Sequence, residues 1–248
     1  MCSSDLAVIG DVDRRATAGE VARMQALVEQ GMRDGAVGLS TGLFYVPGTF
    51  TPTDEVVALA KVAARFGGIH ESHQREETSQ VLDSVRETIA IGEGGGLPTQ
   101  ISHAKVVGAA NWGKSTEMLA LVDAARARGV DVTIDQYPYT ASATSVAAAL
   151  LPAWALEGTR AQQLARLTDP AQRARIKAAS VAMIRDERGG GDPKNVLFSS
   201  CGFDPALAGK TLADLTRQRG LPVTLENAAE ATLRSEEHTS ELQSHHDL

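Results

Sequence analysis

Residues 53–73, TDEVVALAKVAARFGGIHESH, contain the pattern that decides the fold. Residues 53–65 carry apolar side chains at helical spacing, which predicts a capped amphipathic helix. The glycines at 67 and 68 end this helix, and IHESH at 69–73 predicts a short strand. A helix followed directly by a short strand is the repeating unit of a parallel α/β sheet.

The same unit recurs on both sides of this stretch. Helices are predicted at 17–33, 79–91 and 115–128, and short strands at 36–39, 99–102 and 130–134. Thr17 and Glu20 form a capping-box pattern at the start of the first helix, and Ser115 is expected to cap the last. The alternation predicts βαβ units, which fit either a barrel or an open sheet. Because no phosphate-binding glycine motif follows a strand, a nucleotide-binding open sheet is disfavoured.

The regular alternation stops after residue 135. Residues 137–154 are rich in Ser, Thr and Ala and then apolar, which predicts a loop or lid followed by a helix. Further helices are predicted at 169–185, 209–219 and 225–233, and another strand at 196–198. This part of the chain therefore differs from the first in organisation.

The composition excludes several classes of protein. The chain has 248 residues, 43% hydrophobic and 22% charged, with a formal charge of -7. These values are typical of a globular protein, and no apolar run approaches the roughly 20 residues of a membrane span. Scattered cations on an acidic chain argue against nucleic-acid binding. We therefore expect neither a nucleic-acid nor a membrane partner, and the cytoplasm is the default compartment.

The two ends do not continue the pattern beside them. Residues 1–6 (MCSSDL) and 234–248 (RSEEHTSELQSHHDL) resemble a common sequencing adapter read in frame, so they are not expected to belong to the folded domain. A partial domain is then expected over residues 7–233. Only Cys201 remains there, so no internal disulfide is possible, and we expect it to be a small buried hydrophobe.

Polar side chains stand where the predicted parallel strands end, which is the edge at which such sheets bind ligands. His73 and His103 stand at the ends of neighbouring predicted strands. Because adjacent strands lie about 4.8 Å apart, both imidazoles could reach one metal ion. The same spacing also fits two histidines that only form hydrogen bonds. Asp135 is expected either to orient a site group or to cap its loop, and His70 to pack or to face solvent.

Four motifs together resemble one family. GAVGLSTGLFYVPG at 35–48, SHQRE at 72–76, QISHAK at 100–105 and TIDQYPYTAS at 133–142 resemble the D-aminoacylase (N-acyl-D-amino-acid deacylase) branch of the metal-dependent amidohydrolases. The resemblance runs from about residue 10 to 154 and more weakly to 233. It implies a TIM-like (β/α)₈ barrel, which the chain would contain only in part.

The resemblance also implies residue roles. His73 and His103 match the zinc ligands on the fifth and sixth strands of the family. Lys105 matches the lysine that binds the α-carboxylate of the substrate, and Tyr137 matches a tyrosine that assists it. The implied reaction is hydrolysis of an N-acyl-D-amino acid to a carboxylate and a free D-amino acid.

Each substrate-binding residue also has a simpler interpretation. Lys105 could be a solvated surface lysine, and Tyr137 a core aromatic in a proline turn. Arg75 could face the site and bind substrate, or it could pair with Glu76 or Glu77.

The chain departs from the family in three respects. It lacks the HxH pair of the first strand, the cysteine ligand of an early strand, and the late-strand Asp that serves as general base. All three would lie outside residues 7–233. The chain itself is therefore expected to lack useful catalysis, and its barrel to be unclosed, with bare strand edges that invite aggregation.

One segment of the chain predicts the substrate preference, and two other functions fit the same pattern. Residues 140–157 would line the side-chain pocket and contain no Lys or Arg, so neutral, apolar acyl-D-amino acids are favoured over acidic ones. One alternative is a cyclic-amide hydrolase of the dihydroorotase or hydantoinase type, although GLSTGL at 38–43 offers no lysine for carboxylation. The other is a non-catalytic α/β binding domain with structural histidines.

Overall fold

The structure is a computed structural model that describes residues 7–201 and 204–242, with side chains through 237. The predicted adapter-derived ends therefore lie partly outside the described residues. The chain divides into two compact units: Met1–Val107 with Asn111–Tyr139, and Gly108–Ala110 with Thr140–Leu248. The sequence pattern had suggested one domain over residues 7–233.

The first unit alternates helices and strands. Its order is α1 (Ala18–Arg33), β1 (Gly38–Gly42), α2 (Thr53–Ala64), β2 (Ile69–His73), α3 (Val81–Gly95), β3 (Thr99–Ile101), α4 (Ser115–Ala127) and β4 (Val132–Ile134). The predicted βαβ alternation is confirmed. The second strand has its predicted bounds, whereas β1 begins two residues later than expected.

The four strands form a parallel sheet in the order β1-β2-β3-β4. One row of paired residues crosses the whole sheet: Leu39, His70, Thr99 and Val132. Because the strands are parallel and in sequence order, their carboxyl ends meet at one edge. The predicted parallel α/β class is confirmed, and this edge carries the candidate site.

Helix capping agrees with the sequence at one helix and differs at two. Thr17 and Glu20 form the predicted capping box of α1. The predictions of capped starts for α2 and α4 are wrong, because Pro52 and Lys114 occupy the cap positions and neither side chain caps. Pro52 is extended and fixes the entry to α2 through its backbone.

Helix α3 continues past its predicted end at residue 91, into the glycine-rich stretch at 92–96. It continues to Gly95 and ends at Gly96, which has a φ of 73°. A Cβ at Gly92 would lie 2.5 Å from Thr99 Cγ2, and one at Gly95 would lie 2.7 Å from the Cβ of Ala60. The glycines therefore allow α3 to pack closely on β3 and α2 instead of breaking the helix.

Two apolar clusters hold the first unit together. One lies where α1 and α2 cover β1, and the other where α3 and α4 cover β3 and β4. The buried members include Met24, Leu39, Leu43, Val56 and Leu59 in the first cluster, and Val85, Ile101, Met118, Val122 and Val132 in the second. Burial of these side chains fixes the sheet on which the site is built.

The second unit is helical within the residues the structure describes. It contains α5 (Val146–Leu150), α6 (Arg160–Thr168), α7 (Pro170–Met183), α8 (Leu212–Gln218) and α9 (Leu225–Leu242). The sequence pattern missed α6, and α9 continues past residue 233. The strand predicted at 196–198 is wrong, because only an isolated bridge between Leu197 and Thr211 forms. Cys201 is half-buried beside an apolar cluster.

Among the described helices, none has the length and apolar character that a membrane crossing requires.

Candidate functional site

The structure brings the two predicted metal ligands side by side. His73 is the last residue of β2 and is paired with Gly42, while His103 stands two residues beyond the end of β3. Their ring centroids lie 4.4 Å apart, with an interplanar angle of 68°. The two imidazoles therefore contact each other and line the same pocket.

The turn that carries His103 is held by Asp135. His103 has a φ of 39°, a left-handed conformation that is uncommon for residues other than glycine. Its backbone N–H donates to Asp135 Oδ1 at 2.5 Å, and the N–H of Ala104 donates to the Asp135 carbonyl at 2.8 Å. Of the two roles considered for Asp135, the structure supports the one that orients a site group.

An acidic residue that the sequence analysis did not single out lies beside the two histidines. Glu77 is only 2% exposed, and its Oε1 lies 3.5 Å from His103 Nδ1 and 3.8 Å from His73 Nε2. The three residues offer ligand atoms that all lie within 4.8 Å of one another. The available signal was an acidic residue four positions after a histidine, in the segment that follows a strand.

The donor set fits a zinc ion by its chemistry. Zinc in proteins takes imidazole nitrogens at about 2.0–2.1 Å and carboxylate oxygens at about 2.0–2.2 Å. His73 and His103 supply two nitrogens from neighbouring strand ends, and Glu77 supplies an oxygen beside them. The geometry is compatible with the predicted metal site.

Lys105 lies inside this group and is not a solvated surface lysine. Its Nζ donates to Glu77 Oε1, to His103 Nδ1 at 2.9 Å and to the His103 carbonyl at 3.1 Å. Tyr137 stands next to both, with Lys105 Nζ 5.7 Å from its ring centroid and 6.4 Å between the Tyr137 and His103 rings. Four of the five predicted site residues are therefore neighbours.

Arg75 is the exception. Its Nε and Nη2 donate to Glu87 on α3, and Nη1 and Nη2 also donate to the carbonyl oxygens of Thr49 and Thr51. Its ion-pair partner is therefore Glu87 and not one of the two acidic residues that directly follow it. These bonds join α3 to the segment after β1, and they engage the guanidinium on several sides.

An open cleft of about 400 Å³ lies above the histidines. Its lining includes Ser40 and Gly42 of β1, Tyr45, and the two histidines. The Tyr45 ring lies 4.8 Å from the His73 ring. The cleft is large enough for a small ligand and combines polar walls with one aromatic face.

His70 lies apart from the cleft, on the helix-covered face of the sheet. It is fully buried, with Nε2 3.0 Å from Thr41 Oγ1 and Nδ1 2.7 Å from Thr99 Oγ1. Burial lowers the pKa of His70 to about 4, because the charged imidazolium loses its hydration there. His70 therefore connects three strands as a neutral ring, in agreement with the packing role expected from the sequence.

Comparison with known proteins gives a consistent group of relatives, although no protein-family profile matches the chain. A D-aminoacylase of Alcaligenes xylosoxydans xylosoxydans is 42% identical over 138 residues, and an N-acyl-D-glutamate deacylase of the same organism is 44% identical over 139 residues. Each match covers 56% of this chain, and the chain spans 28% of the length of each relative.

Solved structures agree. The N-acyl-D-glutamate deacylase of Bordetella bronchiseptica, complexed with zinc and a phosphonate inhibitor, superimposes with a TM-score of 0.71 at 31% identity. A D-aminoacylase described as defining a subset of amidohydrolases gives a TM-score of 0.68 at 30% identity. The matches cover 93% and 92% of this chain and 40% of each of those chains.

The resemblance inferred from the four motifs is confirmed by these relatives. These relatives are named as D-aminoacylases and N-acyl-D-glutamate deacylases. Neither the cyclic-amide hydrolase nor the non-catalytic binding domain is favoured by the comparisons.

Proposed function

We propose that this chain, a homologue of the D-aminoacylases and N-acyl-D-glutamate deacylases, is part of a zinc-dependent hydrolase that converts N-acyl-D-amino acids to a carboxylate and a free D-amino acid. The proposal rests mainly on the pair formed by His73 and His103, whose ring centroids lie 4.4 Å apart. Lys105 Nζ bonds to His103 Nδ1 beside this pair. A metal-binding pair next to a fixed cation suits a substrate with an amide and a carboxylate.

In this proposal His73 and His103 hold the zinc ion. The Asp135 carboxylate keeps His103 in place by accepting a hydrogen bond from the His103 backbone N–H. When bound, zinc supplies polarisation of the amide carbonyl and activation of a water molecule. No general base is assigned within the chain, and we propose that residues 7–233 alone do not catalyse at a useful rate.

The substrate carboxylate is assigned to Lys105 and Tyr137. The ammonium supplies a compact positive charge, and the phenol can donate a directional hydrogen bond. Arg75 remains a predicted substrate-binding residue, but its guanidinium bonds to Glu87 on α3 and to the Thr49 and Thr51 carbonyls, whereas Lys105 Nζ bonds directly to His103. We therefore rank Lys105 above Arg75.

The test uses the full-length protein that contains residues 7–233. We expect it to release D-leucine from N-acetyl-D-leucine, to lose activity on chelation and to regain it with zinc. Lys105→Met should raise KM by about 10–100-fold, since a hydrogen bond to a charged group contributes about 1.5–3 kcal/mol. Lys114→Met is the matched control, because its Nζ bonds to the Ser79 carbonyl. Absence of zinc-dependent hydrolysis, or an unchanged KM in Lys105→Met, would contradict the proposal.

A further inference from the structure

Glu77 occupies a position that the proposed reaction does not yet use. It lies in the segment between β2 and α3, and its side chain is buried at the point where the two histidines and Lys105 meet. Its Oε1 accepts a hydrogen bond from Lys105 Nζ and faces both imidazoles. A buried carboxylate at this point needs charged or hydrogen-bonding partners, because loss of its hydration costs several kcal/mol.

Two bonds connect Glu77 to the segment that follows β3. Its carboxylate binds the ammonium of Lys105, and its backbone carbonyl accepts the N–H of Val107 at 2.7 Å. The side chain and the backbone of one residue thus hold the turn that begins at His103. These two bonds therefore join the segment after β2 to the segment after β3.

The first consequence concerns Lys105. A lysine side chain carries about 2 kcal/mol of rotamer entropy, so an ammonium without a partner samples many positions. Here its three donors meet Glu77 Oε1, His103 Nδ1 and the His103 carbonyl. Of these acceptors only Glu77 carries a full negative charge, and it therefore contributes most to fixing the ammonium.

The second consequence concerns His103. An ammonium can only donate, so its contact with Nδ1 requires a lone pair on that nitrogen. If Nε2 holds the metal, the ring proton is on Nδ1 and needs an acceptor instead. Glu77 Oε1, 3.5 Å from Nδ1, can take that role while the ammonium keeps its bond to the same carboxylate. In either arrangement Glu77 faces the Nδ1 edge of the ring.

We propose that Glu77 is a positioning residue that fixes the ammonium of Lys105 for the substrate carboxylate and orients the ring of His103 for the metal. This inference rests on the proposed function for the identity of the substrate and the metal. Whether Glu77 fixes the side chains of Lys105 and His103 can be tested without measuring catalytic activity.

The test compares Glu77→Gln with Glu76→Gln in the 248-residue chain. Glu76 is the matched control, because it bonds to the backbone of Thr78 and Gln80 at the start of α3. The first readout is the rate at which an N-hydroxysuccinimide acetate labels Lys105, followed by peptide mass spectrometry. Lys114 in the same digest reports general loosening of the fold.

We expect Glu77→Gln to raise the labelling rate of Lys105 about tenfold relative to Lys114, with no change in Glu76→Gln. The second readout is zinc affinity, measured by competition with a chromogenic chelator. Glu77→Gln should weaken it by about 10–100-fold, the range typical for loss of a partner that orients a metal ligand. Glu77→Asp, which keeps the charge, should recover part of both effects.

Unchanged Lys105 labelling in Glu77→Gln would overturn the hold on Lys105, and unchanged zinc affinity would overturn the orientation of His103. Failure of the proposed function would differ from both. In that case the wild-type chain binds no zinc, while Lys105 labelling still depends on Glu77.

Discussion

Asp135 and His103 are joined at the end of the sheet by the carboxylate of one and the backbone N–H of the other, 2.5 Å apart. The bond spans β3 and β4 and supports a residue with a φ of 39°. Left-handed backbone outside glycine costs about 1–3 kcal/mol and persists only where the surroundings impose it. The position of one proposed metal ligand thus depends on the residue that directly follows the next strand.

Asp135→Ala should therefore loosen the His103 turn. We expect the free energy of unfolding to fall by about 1–2 kcal/mol, because the bond is charge-assisted but exposed to solvent. Urea denaturation followed by circular dichroism measures it. Asp123→Ala on the exposed face of α4 is the control and should change stability by less than about 0.5 kcal/mol. Equal stabilities of the two variants would contradict this account of the turn.

The glycines of α3 allow a test of packing against helix propensity. In Gly92→Ala the new Cβ would lie 2.5 Å from Thr99 Cγ2, so strain of about 1–3 kcal/mol should exceed the gain of about 1 kcal/mol in propensity. Gly31 lies within α1, and a Cβ there meets nothing within 4 Å. Thermal denaturation should show Gly92→Ala to be less stable than wild type and Gly31→Ala to be more stable. Stabilisation by both would show that α3 does not depend on close approach to β3.

The buried His70 predicts a dependence of stability on pH. Its pKa is about 4 when folded and about 6.5 when unfolded, so the unfolded chain binds more protons between these values. The His70 contribution is therefore fully present above pH 6.5 and is lost as the pH falls toward 4. We expect a loss of about 2 kcal/mol between pH 7 and pH 5 in urea denaturation.

His70→Gln isolates this contribution, because the other titrating groups remain. The variant should be less stable than wild type at pH 7, and the difference should shrink as the pH falls to 5. A difference that stays constant over this range would show that His70 does not carry the depressed pKa.

The substrate side chain provides a prediction that rests on the sequence. Residues 140–157 contain no Lys or Arg, so the full-length protein should hydrolyse N-acetyl-D-leucine with a higher kcat/KM than N-acetyl-D-glutamate. The relatives do not decide between these preferences, since they include both a D-aminoacylase and an N-acyl-D-glutamate deacylase. Steady-state kinetics with the two substrates measures the ratio, and a preference for the glutamate derivative would refute the prediction.

The sequence predicts the sheet well where local patterns determine structure. IHESH became β2 with its predicted bounds, and Thr17 capped α1 as expected, because both depend on neighbouring residues. The end of α3 could not be predicted in this way. Glycine usually ends a helix, but at Gly92 the absence of a side chain serves contact with Thr99, which is seven residues away in the sequence.

The proposed metal ligands could be predicted from the sequence, whereas the contacts that Glu77 and Arg75 make could not. His73 and His103 stand at or just beyond strand ends and belong to motifs, so they could be identified from the sequence. Glu77 lies in an irregular segment, and its proximity to Lys105 depends on how two strand ends meet. Arg75 belongs to a motif, but its partner Glu87 is twelve residues away on α3, so the pairing could not be predicted from neighbouring residues.

We propose that His73 and His103 hold one zinc ion, and the zinc affinity of the chain tests this most directly. Competition with a chromogenic chelator, with folding checked by circular dichroism, should show binding by wild type and by the Glu76→Gln control. His73→Ala and His103→Ala should each weaken binding by more than the roughly 10–100-fold typical of losing an outer-shell partner. Zinc affinity at the wild-type level in both histidine variants would contradict the claim.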